Sequence, residues 1–209
     1  MTKAIGMEAS ETREPRIERP KLTFAPEVCD WVEGHYKDAD VILEYGSGGS
    51  TVLGAEMPGK TLYSVESSRD WHKMMQRYFE ENDVPSLPHL HYVNIGKTGK
   101  WGLPVNTEQH HRYHKYPLSI WDIDGFQHPD LILIDGRFRV ACALAAMLRC
   151  TQKVTILFDD YRDRKRYRVL EEFLELKEMR GYMARFEVEP TALPREKMTR
   201  IIGLFARAL

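Results

Sequence analysis

Beyond the first two dozen residues, short apolar runs alternate with stretches in which apolar side chains recur every three or four positions. The runs VILEY (41–45), TLYSVE (61–66), HLHYVNI (89–95), DLILID (130–135) and VTILFDD (154–160) predict strands. The fourth is apolar enough for a strand buried on both faces. Helical patterns fill the gaps between them. Residues 26–39 place Val28, Trp31, Val32 and Tyr36 on one face, and 50–57 form a short helix ended by Pro58-Gly59. A third helix starts from Ser67 or Ser68 as N-cap and buries Trp71, Met74, Met75, Tyr78 and Phe79. Residues 139–150 and 162–179 predict two more, and GYMARFEVEP and TRIIGLFARAL predict two closing strands joined by a proline-containing loop.

Five alternations of strand and helix imply right-handed βαβ units. The predicted fold is α/β: a Rossmann-like, doubly wound, mostly parallel seven-stranded sheet with an antiparallel C-terminal hairpin and helices on both faces. Residues 96–129 lose periodicity and are too long for an ordinary connection, so they predict an insertion or lid within one domain spanning 23–209. Residues 1–22, polar and with two prolines, predict a flexible tail.

Composition narrows the class without naming a function. A net charge of −1 lacks the basic excess of a nucleic-acid binder, and no apolar run is long enough for a membrane span or signal peptide. Cys29, Cys142 and Cys150 lack CxxC spacing, as expected of reduced thiols in a cytoplasmic protein. A homodimer is compatible with all of this.

The chemistry starts at VILEYGSGGST (41–51). A P-loop would need a lysine that is absent, and a GxGxxG dinucleotide fingerprint would need glycine where Thr51 stands. An acidic residue at the strand end followed by GxG instead resembles the class I S-adenosylmethionine-dependent methyltransferases. Glu44 discriminates on charge: it repels a pyrophosphate but suits a cationic sulfonium. The resemblance covers residues 26–209. It implies S-adenosylmethionine contacts from Glu44, Tyr45, Gly46, Ser47, Gly48, Ser50 and Thr51, from Glu66 to the ribose hydroxyls with Ser67 beside it, from Asn94 to the adenine, and from Asp135. An NAD-dependent oxidoreductase and a non-catalytic nucleoside-binding protein are the alternatives.

LIDG (133–136) and FDDY (158–161) bring three carboxylates to neighbouring strand ends, and like charges so close need a cation. Oxygen ligands suit Mg²⁺. The pair of motifs resembles the metal-dependent sugar O-methyltransferases of the macrocin type, and the catechol O-methyltransferases have a similar set. The resemblance implies metal ligation by Asp135, Asp159 and Asp160, with Asp135 and Asp160 organising the acceptor. The macrocin-type pattern continues with another acid, whereas here Arg137 and Arg139 follow, so an arginine could neutralise the aspartates or bind an anionic acceptor. LIDGRFRVACALA also resembles bacterial methyltransferase-like proteins.

Within 96–129, His111 or His114 is a candidate general base. The expected reaction is O-methylation of a hydroxylated small molecule, for which an anionic acceptor is one expectation, with no nucleic acid and no membrane as partner.

Overall fold

The most enclosed strand is β4, Leu131–Ile134, in which every residue is buried. The computed structural model, which describes residues 16–208, pairs it in parallel with β1 (Val41–Tyr45) and β5 (Val154–Phe158). Residues 1–15 of the expected tail and Leu209 lie outside the described residues. Beyond β1, β2 (Thr61–Glu66) and β3 (His89–Tyr92) extend the parallel set. Beyond β5 come two antiparallel strands, β6 (Leu176–Arg180) and β7 (Met183–Val188), giving the order β3-β2-β1-β4-β5-β7-β6. The chain winds outward from β1 to β3, returns to β4 and winds outward the other way. The order therefore reverses between β1 and β4, where a doubly wound sheet opens a crevice at its carboxyl edge.

Alternate strand residues serve two cores. Helices α1 (Pro26–Asp38), α2 (Gly49–Ala55) and α3 (Arg69–Glu81) cover one face, with Tyr36, Val52 and Met75 packed on Ile42, Leu62 and Leu133. The other face takes the short α4 (Lys115–Leu118), α5 (Arg139–Arg149) and α6 (Met198–Phe205), whose Tyr116, Leu144 and Leu204 join Tyr45, Ile132 and Phe158. Large apolar side chains buried this fully contribute roughly 1.5–3 kcal/mol each. Among the described residues, no helix is long and apolar enough to cross a membrane.

Three expectations need correction at the C-terminal end. Residues 162–179 do not form one amphipathic helix: a 3₁₀ segment spans Lys165–Glu172 and β6 starts at Leu176. The hairpin is formed by β6 and β7 across Gly181-Tyr182, with Gly181 at φ +55°, so it lies earlier than expected. β7 pairs with the open edge of β5, and β6 is drawn into the sheet against β7, so tertiary pairing overrides its local helical propensity. The stretch expected as a last strand is α6, where Ile201, Leu204 and Phe205 are buried at helical spacing against α5.

The insertion is two things. Residues 99–103 reach the crevice, whereas Tyr113, Tyr116, Ile120 and Trp121 are buried in the second core. Residues 16–22, assigned to the tail, lie along the protein: Arg19 grips Glu56 through two bonds of 2.8 and 2.7 Å, and Arg16 bonds Asn82.

Candidate active site at the sheet switch point

The crevice is a cavity of about 1250 Å³ at the ends of β1 and β4. Its walls are the glycine turn, Glu66, the Asp135–Arg139 turn, Asp159-Asp160, and the N-terminal segment 17–25. That size suits a nucleoside ligand together with a second small molecule.

The turn is built by direct contact of two loops. Gly46 has φ +107°, and a Cβ there would stand 2.8 Å from the Gly136 nitrogen. Gly136 is equally tight, with the Tyr116 hydroxyl and the Gly46 nitrogen where its Cβ would be. Gly49 is required by another element: the Lys21–Leu22 backbone runs across it, 2.2 Å from a Cβ. Gly48 differs, because a Cβ there would meet nothing within 4 Å. It borders the open space of the cavity.

Thr51 occupies the position where a dinucleotide fingerprint has glycine, and the geometry explains it. Its hydroxyl accepts from the Gly48 N–H at 2.9 Å and donates to Glu44 at 2.5 Å, satisfying the N-cap amide at the start of α2. Glu44 is fully buried, and its other oxygen accepts from the Tyr36 hydroxyl at 2.6 Å. Burial pushes its carboxyl up, while the Thr51 and Tyr36 bonds hold it back. Glu44 therefore braces the turn from beneath and does not line the cavity. The contact inferred from its charge is not made by this arrangement; β1 points even-numbered side chains into the helix layer. Tyr45 points the opposite way and is held in the core by Pro117 and Trp121.

Gly46, Ser47, Gly48, Ser50, Glu66 and Asp135 do line the cavity. Ser47 binds Ser64 through its hydroxyl, and its carbonyl receives the Trp71 indole N–H at 2.7 Å. Glu66 takes the Ser67 and Ser68 N–H groups on one oxygen, both at 2.6 Å. The Ser47 backbone also faces this carboxylate, which stays at the cavity wall. Burial pushes the Glu66 carboxyl up, and the Ser68 and Ser67 amides oppose that. Ser67 itself is buried, its hydroxyl on the Gly102 carbonyl. Asn94 is exposed, away from the cavity, and its side chain accepts from the Gly96 N–H. His111 and His114 are exposed and do not line it either.

Next to the glycine turn, the three aspartates converge on Arg139, whose side chain is only 4% exposed. The guanidinium lies 2.8 Å from Asp135, 3.5 Å from Asp159 and 3.2 Å from Asp160, and also donates to the Gly136, Asp159 and Asp135 carbonyls. Arg164 adds a 2.6 Å pair to Asp160. Backbone strain supports the cluster: Phe138 and Asp160 are left-handed at φ +51° and +58°. Burial raises the Asp135 carboxyl to about 7; Arg139 opposes this and the Asp159 and Asp160 charges add to it. Its side chain still keeps 34% of its surface, at the cavity wall.

This arrangement does not fit the expected Mg²⁺. The centre that a divalent ion would take is filled by a guanidinium already bonded to all three acids, and among the described residues no metal-binding group of three or more His, Cys, Asp or Glu forms. The nucleoside ligand fits better: Gly48 offers open backbone, and Glu66 places a carboxylate at the wall.

Other wall residues gave weak signals in the sequence. Trp71, expected on the buried face of α3, is 41% exposed because its indole turns to Ser47. Trp101 and the segment 17–25 join the wall through tertiary contacts that no local pattern encodes.

No family model and no curated protein matches the chain. A methyltransferase-like protein from Silicibacter pomeroyi is 44% identical, with a TM-score of 0.87 over 90% of this chain and 98% of that one. The fold also resembles an O-methyltransferase of Streptomyces achromogenes involved in tomaymycin synthesis, in complex with SAM (14% identity, TM-score 0.56, 81% and 82% of the two chains). A Bacillus cereus O-methyltransferase in complex with SAH gives 14% identity and a TM-score of 0.54 over 79% and 82%. The glycine turn, the acid closing β2 and the 44% identity across almost both whole chains lead to one assignment: the chain belongs to the class I S-adenosylmethionine-dependent methyltransferase family.

Proposed function

We propose that the protein methylates a hydroxyl of a small molecule without a divalent metal, using Asp135 as the base. The carrying observation is the Asp135–Arg139 pair at the cavity wall, directly beside the glycine turn. Gly46, Ser47, Gly48 and Glu66 would hold S-adenosylmethionine, which supplies an electrophilic methyl group on sulfur. Asp135 takes the proton of the acceptor hydroxyl. A carboxylate with an ordinary value is a poor base, but one raised to about 7 matches neutral pH. Arg139 fixes the direction of that carboxylate, and Asp159 and Asp160 fix Arg139. The solved O-methyltransferases of similar fold support a hydroxyl as the acceptor group.

The test is S-adenosylhomocysteine formation across a panel of hydroxylated compounds. Asp135→Asn should lower turnover by about 10²- to 10⁴-fold. In the unmodified protein the rate should rise with pH and level off above about 7, because below it Asp135 holds a proton and cannot accept another. A flat profile, or full activity in Asp135→Asn, would remove Asp135 as the base.

A further inference from the structure

Arg137 lines the cavity without a close ion pair among the described residues. The three aspartates give their close ion pairs to Arg139 and Arg164. Arg19, also on the wall, is held by Glu56. Arg137 lines the cavity, and its Nε is buried without a hydrogen-bond partner. Its backbone N–H faces the Tyr116 hydroxyl at 3.3 Å, which anchors the residue while leaving its side chain free to turn into the cavity. Burial and the neighbouring Arg139 work against its charge, and Tyr116, Tyr167 and Asp135 offset only part of that. A guanidinium enclosed beside a second one is unfavourable unless an oxyanion completes it, and its planar fork matches a carboxylate or phosphate.

We infer that Arg137 is an oxyanion-binding residue of the cavity, receiving a carboxylate or phosphate of a bound ligand. Two sources share this chemistry: the amino-acid carboxylate of the cofactor, and an anionic group on the methyl acceptor. The inference takes from the proposed function only that the cavity holds these ligands. It needs no methyl transfer, so absent turnover would count against that function and leave this inference standing.

The experiment compares the unmodified protein with Arg137→Gln and Arg137→Lys by calorimetry. The probes are S-adenosylhomocysteine, 5′-methylthioadenosine (the nucleoside thioether without the amino acid), and inorganic phosphate titrated into both free and S-adenosylhomocysteine-loaded protein. If the cofactor supplies the anion, Arg137→Gln weakens S-adenosylhomocysteine by about tenfold or more while 5′-methylthioadenosine is unaffected. If the acceptor does, both nucleosides bind unchanged, and phosphate binding is lost in Arg137→Gln and partly restored in Arg137→Lys. Unaltered binding of all three probes in Arg137→Gln, with thermal stability equal or higher, would overturn the inference.

Discussion

Replacing Arg139 with methionine should destabilise the protein by about 3–5 kcal/mol, a fall in Tm of roughly 10 °C. The substitution keeps the apolar bulk but removes the cation from three carboxylates at one point. Arg164 continues to reach Asp160, leaving Asp135 and Asp159 to repel each other. The loss should depend on pH in a definite direction. Burial already raises Asp135 to about 7, and losing Arg139 raises it further. A carboxyl with a higher value in the folded than in the unfolded chain binds more protons when folded. The stability it contributes therefore falls as pH rises from about 4 through the raised value. Thermal unfolding at about pH 5 and about pH 8 should give the variant its larger deficit at the higher pH. An equal deficit at both would mean that Arg139 acts by packing rather than by charge.

The second large effect separates two glycines of one turn. Gly46→Ala places a methyl group 2.8 Å from the backbone of Gly136 at a left-handed φ, so both loops must move. It should cost about 1–3 kcal/mol of stability and lower S-adenosylhomocysteine affinity by about 100-fold. Gly48→Ala meets no protein atom within 4 Å, so Tm should hold while the methyl group intrudes on ligand space. Calorimetry and thermal unfolding on both variants test the pair. Equal loss of stability in the two would refute the division of roles.

Much of this was legible in the sequence because the signals were local. The buried strands appear as apolar runs, and βαβ alternation predicts the parallel sheet, whereas the reversal between β1 and β4 is seen only in the fold. The turn, Glu66 and Asp135 follow from their positions at strand ends. Glu44 was legible as a residue that matters, but not in its role. Charge alone pointed it at the ligand, whereas the two-residue repeat of β1 turns it toward Tyr36 and Thr51. The arginine in DGRFR was visible as an alternative to a metal, and only three dimensions place it at the centre of the acids. The hairpin and α6 were misread because both depend on a distant partner, β5 in one case and α5 in the other. The N-terminal wall left no sequence signal apart from Gly49, whose missing side chain makes room for it.

The most direct test of a metal-free methyltransferase cavity is calorimetric titration of S-adenosylhomocysteine in the presence of EDTA, repeated with excess Mg²⁺. The account predicts saturable single-site binding in EDTA, with the same affinity when Mg²⁺ is supplied. Binding that appears only with Mg²⁺ would contradict it.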